Sequence, residues 1–126
     1  MFLGTLKRIA AMKRDNSALI VEDSPILGPM IADMLEILGH DTTIVEGEQE
    51  AIANIRDREF SLLICDIKLG EGGSGLAVAA EARKRQPEAR VIVVSGNDEP
   101  PDLPGGVSYL AKPFTLKQLG LVVGMG

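Results

Sequence analysis

Residues 18–25 read Ala-Leu-Ile-Val-Glu-Asp-Ser-Pro. Four apolar residues in a row, without polar alternation, suit a strand buried on both faces. The strand 18–22 closes on the acidic pair Glu22-Asp23. Ser24 and Pro25 then read as the N-cap and first residue of a helix, because Pro lacks only an N–H that would be unpaired there. Leu27, Met30, Ile31, Met34, Leu35 and Leu38 follow at helical spacing, and Gly39 supplies the stop.

The same unit repeats along the chain. Strands are expected at 42–46 (TTIVE), 61–65 (SLLIC), 90–94 (RVIVV) and 107–111 (VSYLA). Ala51, Ile52 and Ile55 mark a helix over 48–57, and Leu76, Ala79, Ala80 and Ala82 mark another that ends before Pro87. Thr115 can cap a last helix carrying Leu116, Leu119, Val122 and Val123, weakened by Gly120 and Gly124. This alternation predicts an α/β fold, a parallel sheet with helices on both faces. Asn97–Gly106 (NDEPPDLPGG) breaks the pattern: three prolines and two glycines leave little room for a helix.

In parallel sheets ligands bind beyond the carboxyl ends of the strands. Four strand-like runs end on Glu22-Asp23, Asp66, Ser95 and Lys112. Three carboxylates gathered at one edge repel each other unless a cation sits among them. A hydroxyl and an ammonium beside them suit an incoming phosphoryl group.

The 126 residues suit one domain, with a basic extension over 1–14 and the folded domain over 15–126. Hydrophobic residues make up 45%, with Phe2, Phe60, Tyr109 and Phe114 the only aromatics, so the core must be aliphatic. Residues 1–14 contain Lys7, Arg8, Lys13 and Arg14 and no acid; of the total of −5, the rest therefore carries −9. That balance argues against a nucleic-acid surface. The lone Cys65 cannot form an intrachain disulfide and fits a cytoplasmic location. No apolar stretch reaches the ~18 residues of a membrane span, so no membrane partner is expected. The extension reads as a short amphipathic helix through Phe2, Leu3, Leu6, Ile9 and Ala10, as a disordered tail, or as sequence ahead of a start at Met12.

With these motifs in order, the chain resembles the receiver domain of two-component response regulators, from about Ala18 to about Val123. The resemblance rests on Glu22-Asp23 before Ser24-Pro25, Asp66 after a buried strand, Ser95-Gly96, and Lys112-Pro113-Phe114. It implies a flavodoxin-like, doubly wound, five-stranded parallel sheet of order 2-1-3-4-5. It implies Asp66 as phosphoacceptor, with Mg²⁺ held by Asp23, Asp66 and the backbone carbonyl of Lys68, and Glu22 acting through a metal-bound water. Lys112 and Ser95 would contact the phosphoryl group, and Tyr109 would be the switch aromatic. The implied partners are a histidine kinase or a histidine phosphotransfer protein, with a homodimer as a further candidate. Such a protein takes and discards a phosphoryl group without being a turnover enzyme, and acts by protein contact or as a phosphate sink.

The chain departs from the family pattern in four places. The first acid is Glu22 rather than Asp; Gly70 stands where a proline is common; Lys68 adds an ammonium two residues after Asp66; and Ser95 and Lys112 are only 17 positions apart. The last departure matches a fourth helix that is degenerate or absent, which puts the family's usual output face in doubt. Two other readings stand beside this one. One is an interaction module on the same fold without phosphorylation. The other is a dinucleotide site, because Gly70–Gly75 satisfies G-x-G-x-x-G after a strand and before a helix.

Overall fold

The computed structural model describes residues 16–124; the basic extension 1–14 lies outside the described residues. Strands β1 (Ser17–Val21), β2 (Asp41–Val45), β3 (Leu62–Asp66), β4 (Arg90–Ser95) and β5 (Val107–Ala111) form one sheet of order β2-β1-β3-β4-β5. Every pairing is parallel, with Val21 beside both Val45 and Cys65, and Asp66 beside Val94. The helices are α1 (Leu27–Ile37), α2 (Glu48–Asp57), α3 (Gly75–Arg85) and α4 (Leu116–Gly124).

Successive strand residues point to opposite faces, so each strand feeds two cores. Leu19, Val21, Leu63, Cys65, Val91 and Val93 pack with Ala51 and Ile55 of α2 and with Val78, Ala79 and Ala82 of α3. Ala18, Ile20, Leu62, Ile64, Ile92 and Val94 pack with Ile31 and Leu35 of α1 and with Leu119 of α4. Burial on both sides explains the unbroken apolar runs.

The expected boundaries need small corrections. β1 and β2 begin one residue earlier and β3 one residue later than the sequence suggested, and β4 runs on to Ser95. Regular α1 begins at Leu27 rather than Pro25, but Ser24 does cap it: its Oγ accepts from the Ile26 and Leu27 amides at 3.3 and 3.1 Å. At the other end Gly39 has φ +94°, with Gly39 N–H donating to Glu36 O and His40 N–H to Leu35 O. This is the left-handed glycine stop that closes the last carbonyls. Thr115 and Gln118 cap α4 reciprocally, at 2.8 and 3.1 Å.

Between β4 and β5 there is no helix; the connection runs through bends and turns. Leu103 packs against the α2–α3 core, and Arg83 of α3 donates Nε–H to Gly105 O at 3.1 Å. One anchor in the core and one guanidinium hold a segment that its prolines keep from coiling.

The turn from β3 to α3 is tighter still. A Cβ at Gly75 would fall 1.9 Å from the Asp66 carbonyl oxygen, so only glycine lets the helix start there. Gly75→Ala should therefore cost about 1–3 kcal/mol by overpacking, read from the urea midpoint. Gly105→Ala, which meets no atom within 4 Å, should be neutral or slightly stabilising.

Candidate functional site

The polar strand endings converge at the carboxyl edge as expected. β1 delivers Glu22 and Asp23, β3 delivers Asp66, β4 delivers Ser95 and the end of β5 delivers Lys112. One carboxylate oxygen from each of Glu22, Asp23 and Asp66 lies within 4.8 Å of the other two. Glu22 is only 2% exposed, whereas Asp23 faces solvent. Lys112 Nζ donates to Glu22 Oε1 at 2.8 Å and to Asp66 Oδ2 at 2.9 Å. The second Glu22 oxygen accepts from the Ser24 amide at 3.1 Å.

Burial pushes the Glu22 carboxyl above its ordinary value; the Lys112 and Ser24 hydrogen bonds pull it back, and the Asp66 charge adds to the rise. Burial lowers the Lys112 ammonium, but its bonds to Glu22 and Asp66 outweigh that and leave it raised. Because the folded Glu22 value is raised, the stability it contributes is present below 4.5 and lost as pH rises through the folded value. Three hard oxygen donors at one open edge fit a divalent cation of the Mg²⁺ or Ca²⁺ type, which prefers oxygen ligands. The described residues therefore suit the expected ion.

Each remaining expected residue has a defined place. Ser95 is buried, and its Oγ accepts from the Asn97 amide at 3.0 Å. Its carbonyl accepts from the Lys112 amide at 2.8 Å, tying the hydroxyl to the ammonium through the backbone. Tyr109 is half-buried, and its hydroxyl donates to Asn97 O and, at 3.4 Å, to Ser95 O. Lys68 is exposed, and its backbone N–H donates to Asp66 Oδ1 at 3.3 Å. Cys65 is fully buried with its thiol pushed up to about 12 by burial and by Asp66, so it is a packing residue. His40 is half-buried, and its Nδ1 has no hydrogen-bond partner.

Two contacts were not legible beforehand. Glu48 Oε1 accepts from the Ser74 amide at 2.9 Å, and the Ser74 hydroxyl accepts from the Leu76 amide at 3.1 Å. A Cβ at Gly73 would fall 2.4 Å from Glu48 Oε1. A carboxylate of this chain thus occupies the place that a pyrophosphate would take, which removes the dinucleotide reading of Gly70–Gly75. Glu48 and Ser74 are 26 residues apart, so no local pattern signals the pair.

Residues 18–123 match the response regulator receiver domain family, and the chain belongs to that family of two-component signalling domains. It is 34% identical over 104 residues to the acid tolerance regulatory protein ActR of Sinorhizobium medicae, covering 79% of this chain and 53% of that one. It is 32% identical over 90 residues to the photosynthetic apparatus regulatory protein RegA of Rhodobacter capsulatus, covering 71% and 48%. A receiver domain from Methylobacillus flagellatus superimposes with a TM-score of 0.77 at 26% identity, covering 86% of this chain and 95% of that one. One from Methanospirillum hungatei gives 0.75 at 28%, covering 82% and 86%. The chain spans about half the length of the curated relatives it matches. Receiver domains are regulatory rather than turnover enzymes. Among the described residues no helix is long and apolar enough to cross a membrane.

If the carboxylates hold a cation, an excess of Mg²⁺ should raise the melting temperature. At about 100 times its dissociation constant the gain is about 2.7 kcal/mol. Asp23→Asn should remove most of that gain in the same thermal melts.

Proposed function

We propose that Asp66 accepts a phosphoryl group from a phosphohistidine of a histidine kinase or histidine phosphotransfer protein. The observation that carries this reading is the Lys112 ammonium, 2.9 Å from Asp66 Oδ2 at the open edge of the sheet. A carboxylate oxygen of Asp66 attacks phosphorus, the P–O bond forms, the P–N bond breaks, and the imidazole leaves with the electron pair. Lys112 moves with the incoming charge, exchanging part of its contact with Asp66 for a phosphoryl oxygen. The Ser95 hydroxyl, now an acceptor from Asn97 N–H, turns to donate to another phosphoryl oxygen. Mg²⁺ held by Asp23, Asp66 and the Lys68 carbonyl, with Glu22 in its outer sphere, would supply neutralising charge at the carboxylates and the phosphoryl oxygens. Catalysis here is positioning and charge stabilisation.

Movement of Ser95 releases Asn97 N–H, and Tyr109 is bonded to the same Asn97 through its carbonyl. The connection 96–106 is therefore the segment placed to respond first, in the absence of the helix that usually stands there. Output is by protein contact, or the domain serves as a phosphate sink. The −9 charge outside the extension argues against nucleic acid as its direct partner.

With acetyl phosphate and Mg²⁺, the chain should give a retarded band on phosphate-affinity gels that Asp66→Asn abolishes. A band that survives that substitution, or no band at all, would leave the interaction-module reading in its place. Lys112→Ala should slow phosphorylation on the order of 10²-fold, as loss of one charge-stabilising donor does. Nuclear magnetic resonance shifts with and without beryllofluoride should be largest at residues 95–109 once contacts to the ligand itself are set aside.

A further inference from the structure

The Lys68 carbonyl can serve a cation only if the loop from β3 to α3 keeps it in place, and the sequence of that loop works against this. Four of the six residues Gly70–Gly75 are glycine, the residue that loses most conformational freedom on ordering. Within the loop Leu69 N–H donates to Gly73 O at 3.2 Å, and Gly75 N–H donates to Ile67 O at 2.9 Å. These two bonds flank an antiparallel bridge between Lys68 and Ser74. A pair flanked in this way exchanges no hydrogen bond of its own. The Ser74 N–H and the Lys68 carbonyl are therefore both turned away from the bridge, toward other partners.

Leu69 is buried in the α2–α3 core and anchors the Lys68 side of the bridge. On the Ser74 side the anchor is polar. Glu48, the first residue of α2, accepts from the Ser74 amide through Oε1 at 2.9 Å. Gly73 makes room for it: an added Cβ there would fall 2.9 Å from Glu48 Cβ. A Cβ at Gly70 would stand 3.2 Å from Asp23 Oδ2, so the loop backbone also lies directly against one of the expected ligands. Among the described residues the carboxylates that converge are Glu22, Asp23 and Asp66, without Glu48. The route from Glu48 to the site is thus the loop, not direct ligation.

We propose, on the reading of Asp23, Asp66 and the Lys68 carbonyl as cation ligands, that Glu48 is a positioning residue for that site. By holding the Ser74 amide it fixes the bridged loop, and with it the place of the Lys68 carbonyl relative to Asp23 and Asp66. A neutral acceptor should serve nearly as well as a charged one, because the group being held is an N–H.

The test is an Mg²⁺ titration of the full chain followed by ¹H–¹⁵N shifts, with wild type, Glu48→Ala and Glu48→Gln compared. Removing a group that orients a metal ligand costs 10-fold or more in affinity, so Glu48→Ala should raise the Mg²⁺ dissociation constant about 10-fold. Glu48→Gln keeps an acceptor oxygen and should restore most of the affinity. Before Mg²⁺ is added, the Ser74 amide should exchange with solvent faster in the Ala variant than in the Gln variant. A role in stability alone would lower the melting temperature of the Ala variant and leave its dissociation constant at the wild-type value; that result overturns the proposal. An equal loss in both variants also overturns it, by assigning the effect to the charge. If the wild-type chain shows no saturable shifts at Asp23 and Asp66, the cation reading itself fails, and the proposal with it.

Discussion

Lys112 stands between two carboxylates that come from different strands, 2.8 Å from Glu22 and 2.9 Å from Asp66. The carboxyl edge of the sheet depends on this placement. The parallel topology forces Glu22, Asp23 and Asp66 together, and their mutual repulsion grows as burial removes water from around them. The ammonium offsets part of that repulsion and itself becomes harder to deprotonate. Breaking a buried ion pair by removing one partner is costly because it strands the other charge. The group that offsets the repulsion at this edge is thus hydrogen-bonded to both Glu22 and Asp66.

The loops above the sheet share this economy of contacts. Gly75 lets α3 begin against the Asp66 carbonyl, and Glu48 reaches from α2 to fix the Ser74 amide just before it. On the other side, Ser95, Asn97 and Tyr109 are linked through two hydroxyls, one amide and two carbonyls. A change in the Ser95 rotamer would remove the bond that its Oγ accepts from the Asn97 amide. Glu22, Asp23, Asp66, Ser95 and Lys112 thus share one edge, and the connection from β4 to β5 beside them runs through bends and turns.

Much of this was legible in the chain itself. Apolar runs without alternation gave the buried parallel strands, and their polar endings gave the groups that the fold gathers at the carboxyl edge. The prolines and glycines of Asn97–Gly106 gave the missing helix, because each proline removes an N–H and resists the α-region before it. Local hydrogen-bond chemistry gave the Ser24 and Thr115 caps and the Gly39 stop. The boundaries slipped by one or two residues, since a strand ends where its ladder bonds end, not where apolar residues do.

What the sequence determined by itself were those properties set by neighbours along the chain: periodicity, caps, breakers and the residue type at each strand end. The tertiary structure alone decided which distant groups meet. It placed Lys112 between carboxylates 90 and 46 residues away. It put Glu48 where the glycine-rich loop seemed to offer an anion site, and it set Arg83 on Gly105 to hold a loop that has no helix of its own. Such contacts depend on strand order and helix placement. Their energies are fixed by distances of about 3 Å between residues that share no local pattern.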